Sequence, residues 1–412
     1  MHPPSLPLRL SAVCLGLSPC ISPAVFAEGF ADDARLTLNT RNVYFARDYK
    51  GSDAKVAKRA EWAQGFILQG GSGYTPGPIG VGVDVLGQFG IKLDSGKGRA
   101  GTGLIPNNDS GPADNFGRLG GVIKVRGFNS ELKYGEQVLN LPILRSNDGR
   151  LLPQTQVGTT LTVAPSKALN LQAGRIDSFS GRDSTDQEKL HMHGSTVTGE
   201  RFDYVGGDWQ TADARLQMGY WHAELKDIYR QDFYRLALQQ PWGTALLRFD
   251  GGVYVSAEQG RAKAGELDNR ALYLGLRWNQ AGHGLLLGYQ RQFGDDDFVA
   301  LQDSGTLMTN HANNIFAYAR ERSWQVRYDY DFAAMGVPGL SVMTRYIRGD
   351  HVQRRNGDGG HEWERDASVR YVVQSGQWRD LGVALNLSTL RSTFQSSFDE
   401  VRVMISYPIS LL

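Results

Sequence analysis

From Trp324 to Phe332 apolar and polar side chains alternate without a break. Trp324, Val326, Tyr328, Tyr330 and Phe332 hold one parity, and Gln325, Arg327, Asp329 and Asp331 hold the other. Successive side chains of a β-strand point to opposite faces, so one face of this segment is apolar and the other charged. A turn containing Pro338 and Gly339 follows. Leu340, Val342, Thr344 and Tyr346 then share one parity, with Arg345 on the other. The two segments predict a β-hairpin. In a soluble sandwich its apolar face needs a second sheet, whereas in a membrane barrel it meets lipid and the charged face meets a watery lumen.

The same reading along the chain predicts eighteen strands, near 34–46, 61–74, 79–92, 117–127, 130–136, 154–163, 169–178, 201–209, 212–224, 230–240, 244–257, 268–278, 282–293, 323–332, 339–348, 363–374, 379–390 and 399–408. Connections after even-numbered strands are short, such as 75–78, 127–129, 210–211 and 279–281. Those after odd-numbered strands are mostly long, with 93–116, 137–153, 179–200, 294–322 and 349–362 the longest. Sorting by parity fits an up-and-down barrel with tight turns at one end and long loops at the other; Greek-key crossings would not produce it. The expected fold is therefore all-β, a transmembrane antiparallel barrel of 18 strands. The last strand carries Val401, Val403, Ile405 and Tyr407 on one parity and runs almost to Leu412.

Composition adds to this picture. Glycine makes up 50 of 412 residues, close to twice its usual share of about 7%, as a turn-rich sheet protein requires. The net charge of +1 gives no nucleic-acid footprint. Residues 1–27 read as a secretory signal peptide, with Arg9, an apolar Leu10–Leu17 run and Val25-Phe26-Ala27 before a cleavage site. Both cysteines, Cys14 and Cys20, would leave with it, so the mature chain 28–412 is expected to form one barrel domain without disulfides or thiol chemistry. No later apolar run reaches the ~18 residues of a membrane helix, which leaves a closed barrel as the way to span a bilayer.

Several segments carry a family resemblance. They include Arg41-Asn-Val-Tyr-Phe, Glu61-Trp-Ala-Gln-Gly-Phe, Gly120-Gly-Val-Ile-Lys-Val-Arg, Leu132-Lys-Tyr-Gly-Glu, Ala223-Glu-Leu-Lys-Asp-Ile-Tyr-Arg-Gln, Gly336-Val-Pro-Gly-Leu, Arg370-Tyr-Val-Val-Gln-Ser-Gly and Tyr407-Pro-Ile-Ser-Leu-Leu. In this order they resemble the OprD family of substrate-specific outer-membrane channels of Pseudomonas and its relatives. The resemblance covers the whole mature chain. It implies a monomeric 18-strand barrel, trimeric in some members, whose inward-folded third loop narrows the lumen. It also implies uptake of small carboxylate-bearing nutrients by diffusion.

A pore for small anions needs fixed positive charge on its inner wall, and a planar, always-charged guanidinium suits a carboxylate better than an ammonium does. By parity the inward cations are Arg35, Arg41, Lys124, Arg126, Arg277, Arg327, Arg345, Arg370 and Arg402. Arg41, Arg345, Arg370 and Arg402 fall on neighbouring staves and are expected to form one stripe, the basic ladder that the resemblance implies. The alternative is that these arginines pair with Asp329, Asp331, Glu364 or Glu400 and stiffen the wall. Ala384 and Asn386 stand where the family often has two inward arginines, so selectivity is open at that point.

The third loop, 137–153, is apolar at Val138-Leu-Asn-Leu-Pro-Ile-Leu and is expected to fold inward as the constriction rather than lie over the mouth. Loop seven holds Asp295, Asp297 and Asp303 (with Asp296), a candidate acidic pocket that would orient a zwitterion opposite the basic stripe; a solvated acidic loop, or one binding divalent ions with lipopolysaccharide, is the other reading. Neither a catalytic set nor a metal site is expected. His191-Met-His193 lacks a third ligand, and no hydrolase motif accompanies His222, His311, His351 or His361. The functional expectation is a passive, cofactor-free channel for small carboxylates, with outer-membrane lipid and lipopolysaccharide around it and no nucleic-acid partner. A surface hydrolase using loop histidines, or an adhesive envelope barrel, is the alternative.

Overall fold

The computed structural model describes residues 29–51, 56–353 and 359–412, so the expected signal peptide lies outside the described residues. Eighteen antiparallel strands form one sheet. The first six are β1 (Arg35–Lys50), β2 (Lys58–Gly71), β3 (Ile79–Asp94), β4 (Asn115–Gly127), β5 (Ser130–Gln137) and β6 (Thr155–Ser166). The next six are β7 (Leu169–Ser180), β8 (Phe202–Gln210), β9 (Leu216–Leu225), β10 (Tyr229–Trp242), β11 (Ala245–Glu258) and β12 (Asp268–Gln280). The last six are β13 (His283–Gly294), β14 (Arg322–Asp331), β15 (Leu340–Val352), β16 (Gly360–Val372), β17 (Gly382–Ser392) and β18 (Ser397–Ser410). Each strand pairs with its chain neighbours, and β1 pairs with both β2 and β18, so no edge is left unpaired.

The strands agree with the period-2 pattern in number and facing. Their ends differ: β2 starts at Lys58 and β16 at Gly360, because ladder hydrogen bonds continue into polar residues at the rim. Trp324 (42% exposed), Val326 (40%) and Tyr328 (37%) point outward, while Ser323 and Gln325 on the other parity are buried. The inner face is therefore covered by something other than solvent. That cover is the long loops.

The third loop, 138–154, crosses the lumen. At one end Leu141, Ile143 and Leu144 pack with Phe202, Trp221, Phe233, Tyr254 and Tyr273 on the inner wall of β8–β12. At the other, Leu151 and Leu152 pack with Val43, Phe45, Ala63, Ile67 and Phe116 on β1–β4. Two inward glycines make the second contact fit. Gly65 and Gly90 face each other across the β2–β3 ladder, and a Cβ on Gly65 would lie 3.0 Å from Leu151 Cγ. Gly135, at φ +139°, turns the end of β5 so that Glu136 enters the lumen beside Arg118 (3.3 Å) and Thr155 (2.6 Å).

Candidate functional site

Loop seven, 295–321, joins the third loop inside the barrel. Gly305 N–H donates to Arg145 O (2.9 Å), and Asn147 Nδ2 donates to Asp303 O (3.0 Å). Tyr254 on β11 ties both together, donating to Pro142 O (3.0 Å) and accepting from Leu307 N–H (3.2 Å). Further along, loop seven docks on β16. Its inward carboxylates Glu364 and Glu362 accept from Asn313 N–H (3.0 Å), Asn314 N–H (3.0 Å) and Asn314 Nδ2 (2.5 Å). Backbone amides thus satisfy Glu364, which the alternative reading pairs with an arginine, and a carboxamide satisfies Glu362 beside it.

Open space remains against β15–β18. A cavity of about 200 Å³ is lined there by Arg345, Asp366, Asn386, Ser388, Glu400 and Arg402, with His311 and Asn313 from loop seven. Met343, on the lumenal parity of Arg345, supplies an apolar side chain to the same space. Arg402 is held by Glu400 (2.6 Å) and donates through Nη2 to Asn313 Oδ1 (2.5 Å). Arg345 engages Asp366 through Nε (2.5 Å), leaving its Nη1 and Nη2 without a hydrogen-bond partner among the described residues.

The structure divides the expected basic stripe into two groups. Arg345 and Arg402 share the cavity, while Arg41, opposite Ser406, pairs with Asp148 of the third loop (2.5 Å). Arg370 is exposed opposite Ser341 and makes no ion pair among the described residues. Arg327 sits across the ladder from Arg345 and bonds to Asp329 (2.6 Å), which also takes Arg277 (3.2 Å). Lys124 and Arg126 form a separate group around Tyr74, with Lys124 on Asp84 (2.5 Å) and Arg126 over the Tyr74 ring (4.2 Å). Arg35 is exposed at the start of β1, at the end that carries the short turns.

The acidic residues of loop seven are not brought to one pocket. Asp295 binds Arg320 (2.5 Å), Asp297 accepts from Ala319 N–H (2.8 Å), and Asp303 lies between His193 (3.2 Å) and Arg182 (3.7 Å). Asp295 and Asp303 are paired with different cations and Asp297 with a backbone amide, so the three acids are spread over separate partners rather than gathered in the expected shared pocket. His193 is thereby a clasp between two loops, and its bond to Asp303 raises its pKa while holding the Asp303 carboxyl below its ordinary value.

Cations that sequence parity missed come from the loops and from the top of β1. Arg150 of the third loop lies over the Phe45 ring (4.8 Å), which Arg402 (4.5 Å) and Arg47 (5.5 Å) also flank. Arg47 shares Glu400 with Arg402, at 2.5 Å. Arg150 donates to the carbonyls of Thr102 (3.0 Å) and Gly149 (2.9 Å) rather than to a carboxylate. Burial, then repulsion from Arg402 and Arg182, lowers its pKa. A buried guanidinium among other cations is stabilised when an anion arrives. Its only signal in the sequence was a lone Arg after Asn-Asp-Gly.

A closed barrel with an aromatic exterior, a charged bore and loops folded into it defines the class: an outer-membrane channel, a porin. The chain belongs to the OprD family of outer membrane porins, whose family model matches residues 28–411. It is 42% identical to a porin-like protein, GalP, of Pseudomonas putida over 94% of both chains. Among solved structures it resembles Pseudomonas aeruginosa OccK9 (OpdG), with 45% identity, a TM-score of 0.92, and coverage of 93% of this chain and 100% of that one. The structure of Pseudomonas aeruginosa OpdK with vanillate is similar at 42% identity and a TM-score of 0.88, again covering 93% and 100%. The family consists of channels, so the hydrolase alternative falls away.

Proposed function

We propose that this outer-membrane porin passes small carboxylate-bearing solutes by diffusion and that Arg345, Arg402 and Arg150 carry the selection. The observation that supports this is the unused Nη edge of Arg345 in a cavity also lined by Arg402. Asp366 and Glu400, the acids lining that cavity, are already paired, so the wall has capacity for an anion rather than for a second cation. Met343 beside the guanidiniums accommodates a partly apolar acid. A carboxylate exchanging water for such contacts binds modestly and leaves readily, as conduction demands. The third loop sets the size limit, acting as the constriction. We further infer that residues 1–27 are removed on export and that the barrel works as a monomer or weak trimer.

The test is uptake of benzoate by proteoliposomes holding the protein or the Arg345→Gln/Arg402→Gln variant. Loss of charge-assisted contacts should lower uptake about tenfold and leave neutral sugar leakage unchanged. Equal loss for both solutes would make these arginines structural.

A further inference from the structure

The outer face carries a second set of arginines that channel function does not use. Arg291 on β13 stands directly across from Arg322 on β14, both on the outward parity of Tyr289 and Trp324. Arg348 on β15 is opposite Trp324, and on β16 Trp363 is opposite Arg348 while Arg365 is opposite Tyr346. Arg391 on β17 closes the row opposite Trp363. Five adjacent strands thus each present one outward guanidinium near the end that carries the long loops.

Little on the protein answers this charge. Arg322 and Arg348 are exposed and have no carboxylate partner among the described residues, and Arg291 packs over Phe293 (4.4 Å) instead. Of the nearby outward acids, Asp350 stands opposite Arg322 in the ladder and bonds to His351, and Asp399 is shared by Arg391 (2.8 Å) and Lys50 (3.3 Å), so two acids face five arginines. Like charges directly opposite in a ladder destabilise it unless something of opposite sign sits between them. The far wall differs: there Arg175 and Arg201 both bond to Asp203 (2.7 Å each), and His222 lies between Asp232 (2.9 Å) and Glu224 (3.3 Å). That rim is self-neutralised. The β13–β17 rim is not.

The aromatic side chains next to the row place it at the membrane surface. Trp324 and Tyr289 are lipid-facing and exposed, and such rings settle at the headgroup level. Arg291 and Arg322, two residues beyond Tyr289 and Trp324, and Arg348 level with Trp324 meet the headgroups of the outer leaflet, and a guanidinium pairs two phosphate oxygens at once. We propose that the arginine row on β13–β17 binds the phosphorylated sugar headgroup of lipopolysaccharide, with Trp324, Tyr346 and Trp363 against its acyl chains. This rests on the outer-membrane placement but not on which solute the bore passes.

The experiment compares the full-length processed protein with Arg291→Gln/Arg322→Gln/Arg348→Gln in detergent. Bisphosphorylated lipid A, phosphate-free lipid A and inorganic phosphate are offered separately, and bound lipid per barrel and the thermal midpoint are measured. The protein should retain bisphosphorylated lipid A, and the triple variant should lose about tenfold in retention. Arg175→Gln, on the self-neutralised rim, should retain it fully, and Arg322→Lys/Arg348→Lys should be intermediate. Single-channel conductance should be the same in all, which shows each variant folded and keeps this outcome separate from transport. Equal retention by the triple variant, equal binding of phosphate-free lipid A, or a full thermal shift from inorganic phosphate alone would overturn the proposal.

Discussion

Arg327 and Arg345 face each other directly across the β14–β15 ladder with both side chains in the lumen. Each is compensated sideways, Arg327 by Asp329 on its own strand (2.6 Å) and Arg345 by Asp366 on the next (2.5 Å). Opposed like charges repel, so the acids hold the wall together while lowering its net field. Asp366→Asn removes one compensating charge beside a guanidinium that already has free donors. The ratio of anion to cation permeability, from reversal potentials in a KCl gradient, should rise several-fold at low salt. An unchanged ratio would mean that these arginines contribute no field to the pore.

Screening should reveal the same field. The Debye length shrinks from about 10 Å at 0.1 M salt to about 3 Å at 1 M. Arg41→Ala with Arg402→Ala should therefore slow anion uptake strongly at low ionic strength and weakly at high. Removing Arg41 also leaves Asp148 of the third loop, 47% exposed within that pair, without its cation, which acts in the same direction. A salt-independent loss would point to a blocked pore instead.

The third loop should move if its seat is filled. Gly65→Leu puts a Cβ 3.0 Å from Leu151 Cγ and further atoms where Leu151 packs. Overpacking of this kind costs about 1–3 kcal/mol, and lifting the loop relieves it. Larger single-channel conductance with a lower unfolding temperature is the expected pair of results. Smaller conductance would show that the loop stays and the new side chain fills the bore.

Two loop histidines should respond to pH with opposite signs. His311 is pushed down from 6.5 to about 4 by burial, then by Arg345 and Arg145. The folded state binds this proton less well than the unfolded chain, so the contribution of His311 is present above pH 6.5 and is lost as pH falls from there towards 4. Below that, a protonated imidazole adds positive charge to the cavity, and anion block should tighten. His193 is raised above 6.5 by its bond to Asp303, so that clasp is complete below 6.5 and is lost as pH rises through the folded value. Hydrogen exchange in 181–201 and 295–321, followed from pH 4 to 9 in the protein, His193→Ala and His311→Gln, separates the two. Loosening of the His193 clasp on acidification would reverse its assignment.

The alternation from Trp324 to Phe332 and the parity of loop lengths are local facts, and they determined the barrel, its strand count, and which residues face lipid or bore. A period of two leaves no freedom in facing once a strand forms. For the same reason Arg345 and Arg402 were legible as lumenal from sequence, as were the apolar stretch of the third loop and its inward fold. Tertiary structure alone decided what fills the bore. That Leu151 rests on Gly65, that Asn313 reaches Arg402, that Arg150 enters beside Phe45, and that Asp295, Asp297 and Asp303 go to three separate partners depend on contacts between loops far apart in the chain. No short-range pattern encodes such contacts, because loop backbones lack the periodicity that ties a side chain to a face. The cavity beside Arg345 exists because loop seven docks on Glu364 of β16 and reaches Arg402 of β18.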